Sequence, residues 1–118
     1  DATRWEPGPA PFISLFHLEG LIGLASADVI AGFIKLPAGS TFPTHTHLGP
    51  ELVMPVQGSY VDEDGTVVGV GQVDERAPGT SHYFTVPADG PDLVYLALVW
   101  APGVQIGDLI LGPGTPDL

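Results

Sequence analysis

Two imidazoles and a carboxylate, His45, His47 and Glu51, fall within seven residues of one another in this chain. On an extended strand side chains alternate between faces, so His45 and His47 point to the same side with Thr46 opposite, and both rings can reach one ion. Gly49-Pro50 then breaks the strand. Glu51 re-enters with the parity of the histidines, so its carboxylate can turn back towards the same point. Downstream, Pro78-Gly79 makes a tight turn and His82 opens another apolar strand as a fourth candidate. Three neutral imidazoles and one carboxylate form a coherent set of ligands for zinc, iron(II), copper(II), nickel or manganese.

Taken singly, each of these residues is more often structural than a ligand: a strand histidine can be a surface feature or a hydrogen-bonded core residue, and a glutamate after a turn is usually solvated. The grouping is what points to a metal. Other chemistries fail early. The chain has no cysteine, and Ser81, the only serine beside a base, neighbours His82 on a strand and so faces the other way. No glycine-rich phosphate loop precedes a helix, and no second carboxylate has a reason to lie inside with Glu51.

The spacing around these residues resembles a known family. Gly39, five residues, His45, one residue, His47, three residues, Glu51, six residues and Gly58 follow the first sequence motif of the cupins throughout. Gly71, Gly79 and His82 stand where the second cupin motif has its two glycines and its histidine, whereas Ala77 replaces its proline and Val86 its terminal asparagine. The resemblance spans about residues 29 to 100. The run Gly58-Ser59-Tyr60-Val61-Asp62-Glu63-Asp64-Gly65 is similar to the ChrR-like cupins, which include metal-binding sensor domains of anti-sigma factors and small dioxygenases that cleave diketone-like or hydroxyketone substrates.

At 118 residues the chain is expected to be one domain, 1–118, with an extended arm over 1–11 and a Gly/Pro-rich tail over 102–118. Three basic against fourteen acidic residues give a net charge of −11, which repels phosphate backbones and anionic lipid and so argues against nucleic-acid and membrane partners. No apolar run approaches the ~20 residues of a membrane-spanning helix. The lack of cysteine excludes disulfides and thiolate metal sites and leaves the redox compartment open. A chain that begins at Asp1 fits a trimmed protein or a mature one released from a signal peptide, and cytoplasmic and secreted locations both remain open.

Short strands with turn signals every eight to twelve residues, and no helical periodicity, mark a sandwich or barrel. Strands are expected from Phe12 to Leu18, Leu21 to Ala25, Val29 to Leu36, and Leu52 to Val56, with Pro55 at a bulge or edge. Trp5 is expected to pin the arm by packing, and His17 is read as structural or exposed. Asp64-Gly65 predicts a hairpin after Tyr60 and Val61, with Asp62, Glu63 and Asp64 as a solvated acidic tip. His82 to Val86 is the next strand. The run from Leu93 to Trp100 is apolar on both faces, so it must lie in a sandwich core or against another subunit, and a homodimer is expected. Asp108 to Leu111 reads either as one helical turn or as a strand added to a neighbour. With the resemblance added, the expectation is an all-β double-stranded β-helix, the cupin jelly roll, a β-barrel with the metal inside its mouth.

Two functions follow from the resemblance. In the first, His45, His47, Glu51 and His82 hold iron(II) or another redox metal with two open positions, for oxygen-dependent (dioxygenase-type) cleavage of a small oxygen-rich substrate. Copper held mainly by the histidines is a variant suited to oxidase chemistry. In the second, the four residues close a tetrahedral zinc site in a non-catalytic sensing or interaction module of the anti-sigma type. Tyr60, Tyr83, Phe84 and Tyr95 are candidate pocket liners, although strand aromatics are more often core.

Overall fold

A computed structural model of the chain describes residues 6–7, 14–17 and 29–112. The described elements are all strands, β1 (Glu6–Pro7), β2 (Ser14–His17), β3 (Val29–Leu36), β4 (Thr41–His47), β5 (Glu51–Gln57), β6 (Tyr60–Asp62), β7 (Val67–Val68), β8 (Asp74–Arg76), β9 (Ser81–Thr85), β10 (Leu93–Trp100), β11 (Val104–Ile106) and β12 (Leu109–Leu111). The early strand expected from Phe12 to Leu18 is present as β2. The strand expected over Leu21 to Ala25, the packing of Trp5, most of the arm and the end of the tail lie outside the described residues.

The strands form two six-stranded antiparallel sheets, ordered β1-β2-β3-β10-β5-β8 and β12-β11-β4-β9-β6-β7. Alternation decides which side chains face the gap between them. In β10, Leu93, Tyr95 and Ala97 are buried while Val94, Leu96 and Leu98 are half-buried on the other face. From the opposite sheet Phe42, Tyr60 and Phe84 meet them, with Val86 just beyond β9, and the core among the described residues also includes Leu36, Val53, Val68 and Leu93. Leu36, Val86 and Leu93 are fully shielded from solvent, and each such side chain contributes roughly 1.5–3 kcal/mol of transfer free energy. This is the expected double-sheet jelly roll.

Two expectations need correction and one open alternative is decided. The sheets do not close into a barrel: the edge strands β7 and β8 have two and three residues, too short to carry a ladder across from one sheet to the other. Of the two readings of Asp108 to Leu111 the helical turn fails and the strand stands, since Leu109, Ile110 and Leu111 pair with Ile106, Gln105 and Val104 of the neighbouring β11. Gly107, with a positive φ of 58°, lies in the turn that reverses the chain there. Finally, the acidic tip is not wholly solvated. The hairpin forms as expected, with Tyr60 opposite Val68 and Val61 opposite Val67, but β6 runs on to Asp62, which shares the inward face with Tyr60 and is only 6% exposed.

Pro55 lies at an irregularity of the β5–β10 ladder, where the register shifts between Val94 and Tyr95. It also lies beyond the stretch of β5 that pairs with β8, Glu51 to Val53. Its missing N–H is thereby tolerated.

Candidate metal centre

β4 and β9 are antiparallel neighbours, and their register sets His45 directly opposite His82. The ladder is irregular between Phe42 and His45, across Pro43-Thr44. That bulge lets Phe42 and His45, three apart, both face inward, and alternation then returns His47 to the same side. The rings gather closely, with centroids 4.5 Å apart for His45–His82, 4.9 Å for His45–His47 and 5.1 Å for His47–His82. One nitrogen from each ring lies within 4.8 Å of those of the other two, and all three residues are buried. The group can hold a metal ion.

Glu51 reaches the cluster through His47, with its Oε1 2.9 Å from His47 Nε2. The chain between them is held by the Gly49 turn, where a Cβ would collide with the backbone oxygens of Trp100 and Ala101, so only glycine fits. Backbone bonds from Leu48 N to Gly103 O (2.8 Å) and from Trp100 N to Pro50 O (3.1 Å) fix that corner.

The outward side of each imidazole is already occupied. His45 Nδ1 lies 2.9 Å from the Pro43 carbonyl. His47 Nδ1 lies 3.0 Å from the Thr80 carbonyl and 3.1 Å from Thr80 Oγ1, whose own proton goes to the Ala77 carbonyl. His82 Nδ1 lies 2.5 Å from Asp62 Oδ1. Carbonyl and carboxylate oxygens only accept, so each Nδ1 donates, and in the neutral ring Nε2 is the nitrogen with the free lone pair. This is the arrangement that orients histidine ligands on metals. Burial pulls the His45 pKa down to about 4, and the proximity of His82 and His47 adds to the effect, so that ring is neutral near pH 7.

The donor set fits a transition-metal ion. With Nδ1 donating to Thr80, a neutral His47 turns the lone pair of Nε2 towards Glu51 Oε1 at 2.9 Å, a contact that either a proton or a metal ion between them satisfies.

Behind His82 lies a network that sequence reasoning missed. Arg76 Nη2 is 3.3 Å from Asp62 Oδ1, and its Nε and Nη2 each bind Asp74 at 3.0 Å. Tyr60 donates its hydroxyl proton to Asp74 in turn. Burial, with help from Asp74, keeps the Tyr60 phenol protonated well above its usual range. Tyr60-Val61-Asp62 carried the one available signal, alternation that sets the acid beside a core tyrosine. For Arg76, nothing local in the sequence foretold pairing with a strand far away.

A cavity of about 90 Å³ opens between the sheets against His45, His82 and Glu51. Its other walls are mostly apolar and include Ile34, Phe42, Val53, Phe84 and Val99, with Tyr60 and Tyr95. Of the candidate liners, Tyr60, Phe84 and Tyr95 reach it, whereas Tyr83 points outward and is 41% exposed.

No protein-family model matches this sequence, and no curated protein does. Solved structures do. A chain of the Rhodobacter sphaeroides SigE complex with the anti-sigma ChrR is 24% identical with a TM-score of 0.67, over 83% of this chain and 50% of that one. An RmlC-like cupin from Ralstonia eutropha JMP134 is 27% identical with a TM-score of 0.67, over 92% of this chain and 71% of that one. A proposed acetylacetone dioxygenase from Methylibium petroleiphilum PM1 is 20% identical with a TM-score of 0.65, over 93% and 83%. The chain thus spans half the length of the first of these. The fold is that of the cupins. Among the described residues no helix is long and apolar enough to cross a membrane.

Proposed function

We propose that His45, His47, His82 and Glu51 bind one divalent transition-metal ion, and that the protein is an oxygen-dependent oxidoreductase acting on a small substrate of diketone or hydroxyketone type. The observation that carries this is the cavity: the three anchored rings and the acid do not sit in a sealed core, since His45, His82 and Glu51 line a mainly apolar space between the sheets. When bound, the ion supplies a Lewis-acid centre where a chelating oxygen substrate can lie and, if redox-active, a path for electrons. The chain's own part is to bind and orient. Pro43, Thr80 and Asp62 fix the three rings, and Phe42, Phe84 and Val53 keep bulk water from the space beside them. The likeness to the Methylibium protein supports the choice of substrate.

A second reading is a zinc-holding sensor or interaction module without catalysis, favoured by the likeness to the SigE–ChrR complex. Copper chemistry of the oxidase type is a variant of the first reading. Metal analysis after mild purification, followed by oxygen uptake with acetylacetone and with a hydroxyacetophenone, decides between them. Oxygen consumed in step with substrate supports the oxygenase. Tightly held zinc with no uptake in the iron- or copper-loaded protein refutes it and favours the module. The half-buried outward residues of β10, Val94, Leu96 and Leu98, support a homodimer through that face, and light scattering on the eluting protein tests it.

A further inference from the structure

Two buried tyrosines line the cavity, and their hydroxyls differ. That of Tyr60 is committed to Asp74. Tyr95 is only 3% exposed, yet its hydroxyl bonds to none of the described residues. Tyr95 is also one of the residues that line the cavity beside His45, His82 and Glu51. The residue sits near the middle of the central strand β10, opposite Ile34 on one side and Pro55 on the other, with its ring edge-on to Phe84 at 6.2 Å. Phe84 in turn stands 6.0 Å from His82 and 6.3 Å from His45. Tyr95 thus reaches the cavity from the sheet opposite His45 and His82, and Glu51 lines the same space.

We propose that Tyr95 is a substrate-binding residue whose hydroxyl donates a hydrogen bond to an oxygen of the small chelating ligand held at the His45, His47, His82 and Glu51 centre. This rests on the reading of that centre as a metal site with an oxygen-bearing substrate. In mostly apolar surroundings an unpaired donor is costly, and it favours an occupant that supplies an acceptor over one of equal size that does not. An enolate or carbonyl oxygen on the ion is such an acceptor, and a bond to a charged one is the stronger kind. Burial holds the phenol far above its ordinary pKa, with the Glu51 charge pushing the same way, so it remains a donor at any working pH.

The test is Tyr95→Phe, which keeps the ring and its packing against Phe84. Wild type and variant are loaded with cobalt(II), and each is titrated with acetylacetone while the visible absorption is followed. The expected result is equal cobalt content and unfolding temperature, with acetylacetone bound about 10- to 100-fold more weakly by the variant. Equal affinities overturn the proposal, as does a wild type that does not bind acetylacetone. A variant that fails to fold or to take up cobalt also overturns it, because Tyr95 would then be structural. Oxygen uptake is a separate readout. Tight binding without oxygen consumption removes the oxygenase reading and leaves Tyr95 in place, whereas oxygen consumption with equal affinities does the reverse.

Discussion

His47 turns Nε2 towards Glu51 Oε1 at 2.9 Å while its Nδ1 donates to Thr80. While the ring is neutral two lone pairs confront each other, so at a pH where His47 is unprotonated the pair costs stability in the metal-free protein and is stabilising once an ion binds. Glu51→Gln separates the two effects. Its amide can donate to Nε2, so the metal-free variant should be about 1 kcal/mol more stable than wild type while zinc affinity falls at least ~10-fold. Urea unfolding and chelator competition measure the two. If the variant loses stability without metal, the contact is an ordinary ion pair.

Asp62 acts on the site through His82. Asp62→Asn weakens the acceptor that fixes the ring, and metal affinity should drop about 10- to 100-fold with the fold retained. An affinity unchanged by this substitution would mean that the Asp62–His82 bond does not serve metal binding.

Arg76 is the cation shared by Asp62 and Asp74, which are 5% and 14% exposed as side chains. Arg76→Met leaves both carboxylates in place with no counter-charge, and because Arg76 is itself 20% exposed the expected loss is about 2 kcal/mol, less than for a fully buried pair. Thermal unfolding of the metal-free protein reads it directly. A variant as stable as wild type would place the clamp among surface pairs of negligible worth.

His45 sets a pH dependence. Burial lowers its pKa in the folded protein to about 4 from 6.5. Between these values the unfolded chain takes up a proton that the folded one refuses, so stability of the metal-free protein falls as pH drops below about 6.5 and this contribution levels off below about 4. The full span is worth ~3 kcal/mol. Urea midpoints from pH 7 to 4 in wild type and His45→Gln should show this slope only in wild type.

What could be read from the sequence was local. Strand parity set His45 and His47 on one face, and Asp64-Gly65 announced its hairpin, because both depend on neighbours in the chain. The opposition of His45 and His82 depends on the β4–β9 register and its bulge, which residue spacing alone does not set. Asp62 read as solvated because its neighbours Glu63 and Asp64 are, and only the length of β6 brings it inside. The Val104–Ile106 and Leu109–Leu111 pairing was hidden by short strands in a run of glycine and proline. Tyr60, Tyr83, Phe84 and Tyr95 were visible as strand aromatics, but that Tyr83 alone of the four misses the cavity was decided by the packing of the two sheets.

Metal stoichiometry tests the central claim most directly. Wild type and His47→Ala are stripped of metal, exposed to iron(II) or zinc, passed through a desalting column and assayed for bound ion. Wild type should retain one ion per chain and gain thermal stability, and His47→Ala should retain essentially none and gain nothing. A wild type that stays metal-free, or a variant that still carries a full equivalent, would contradict the account.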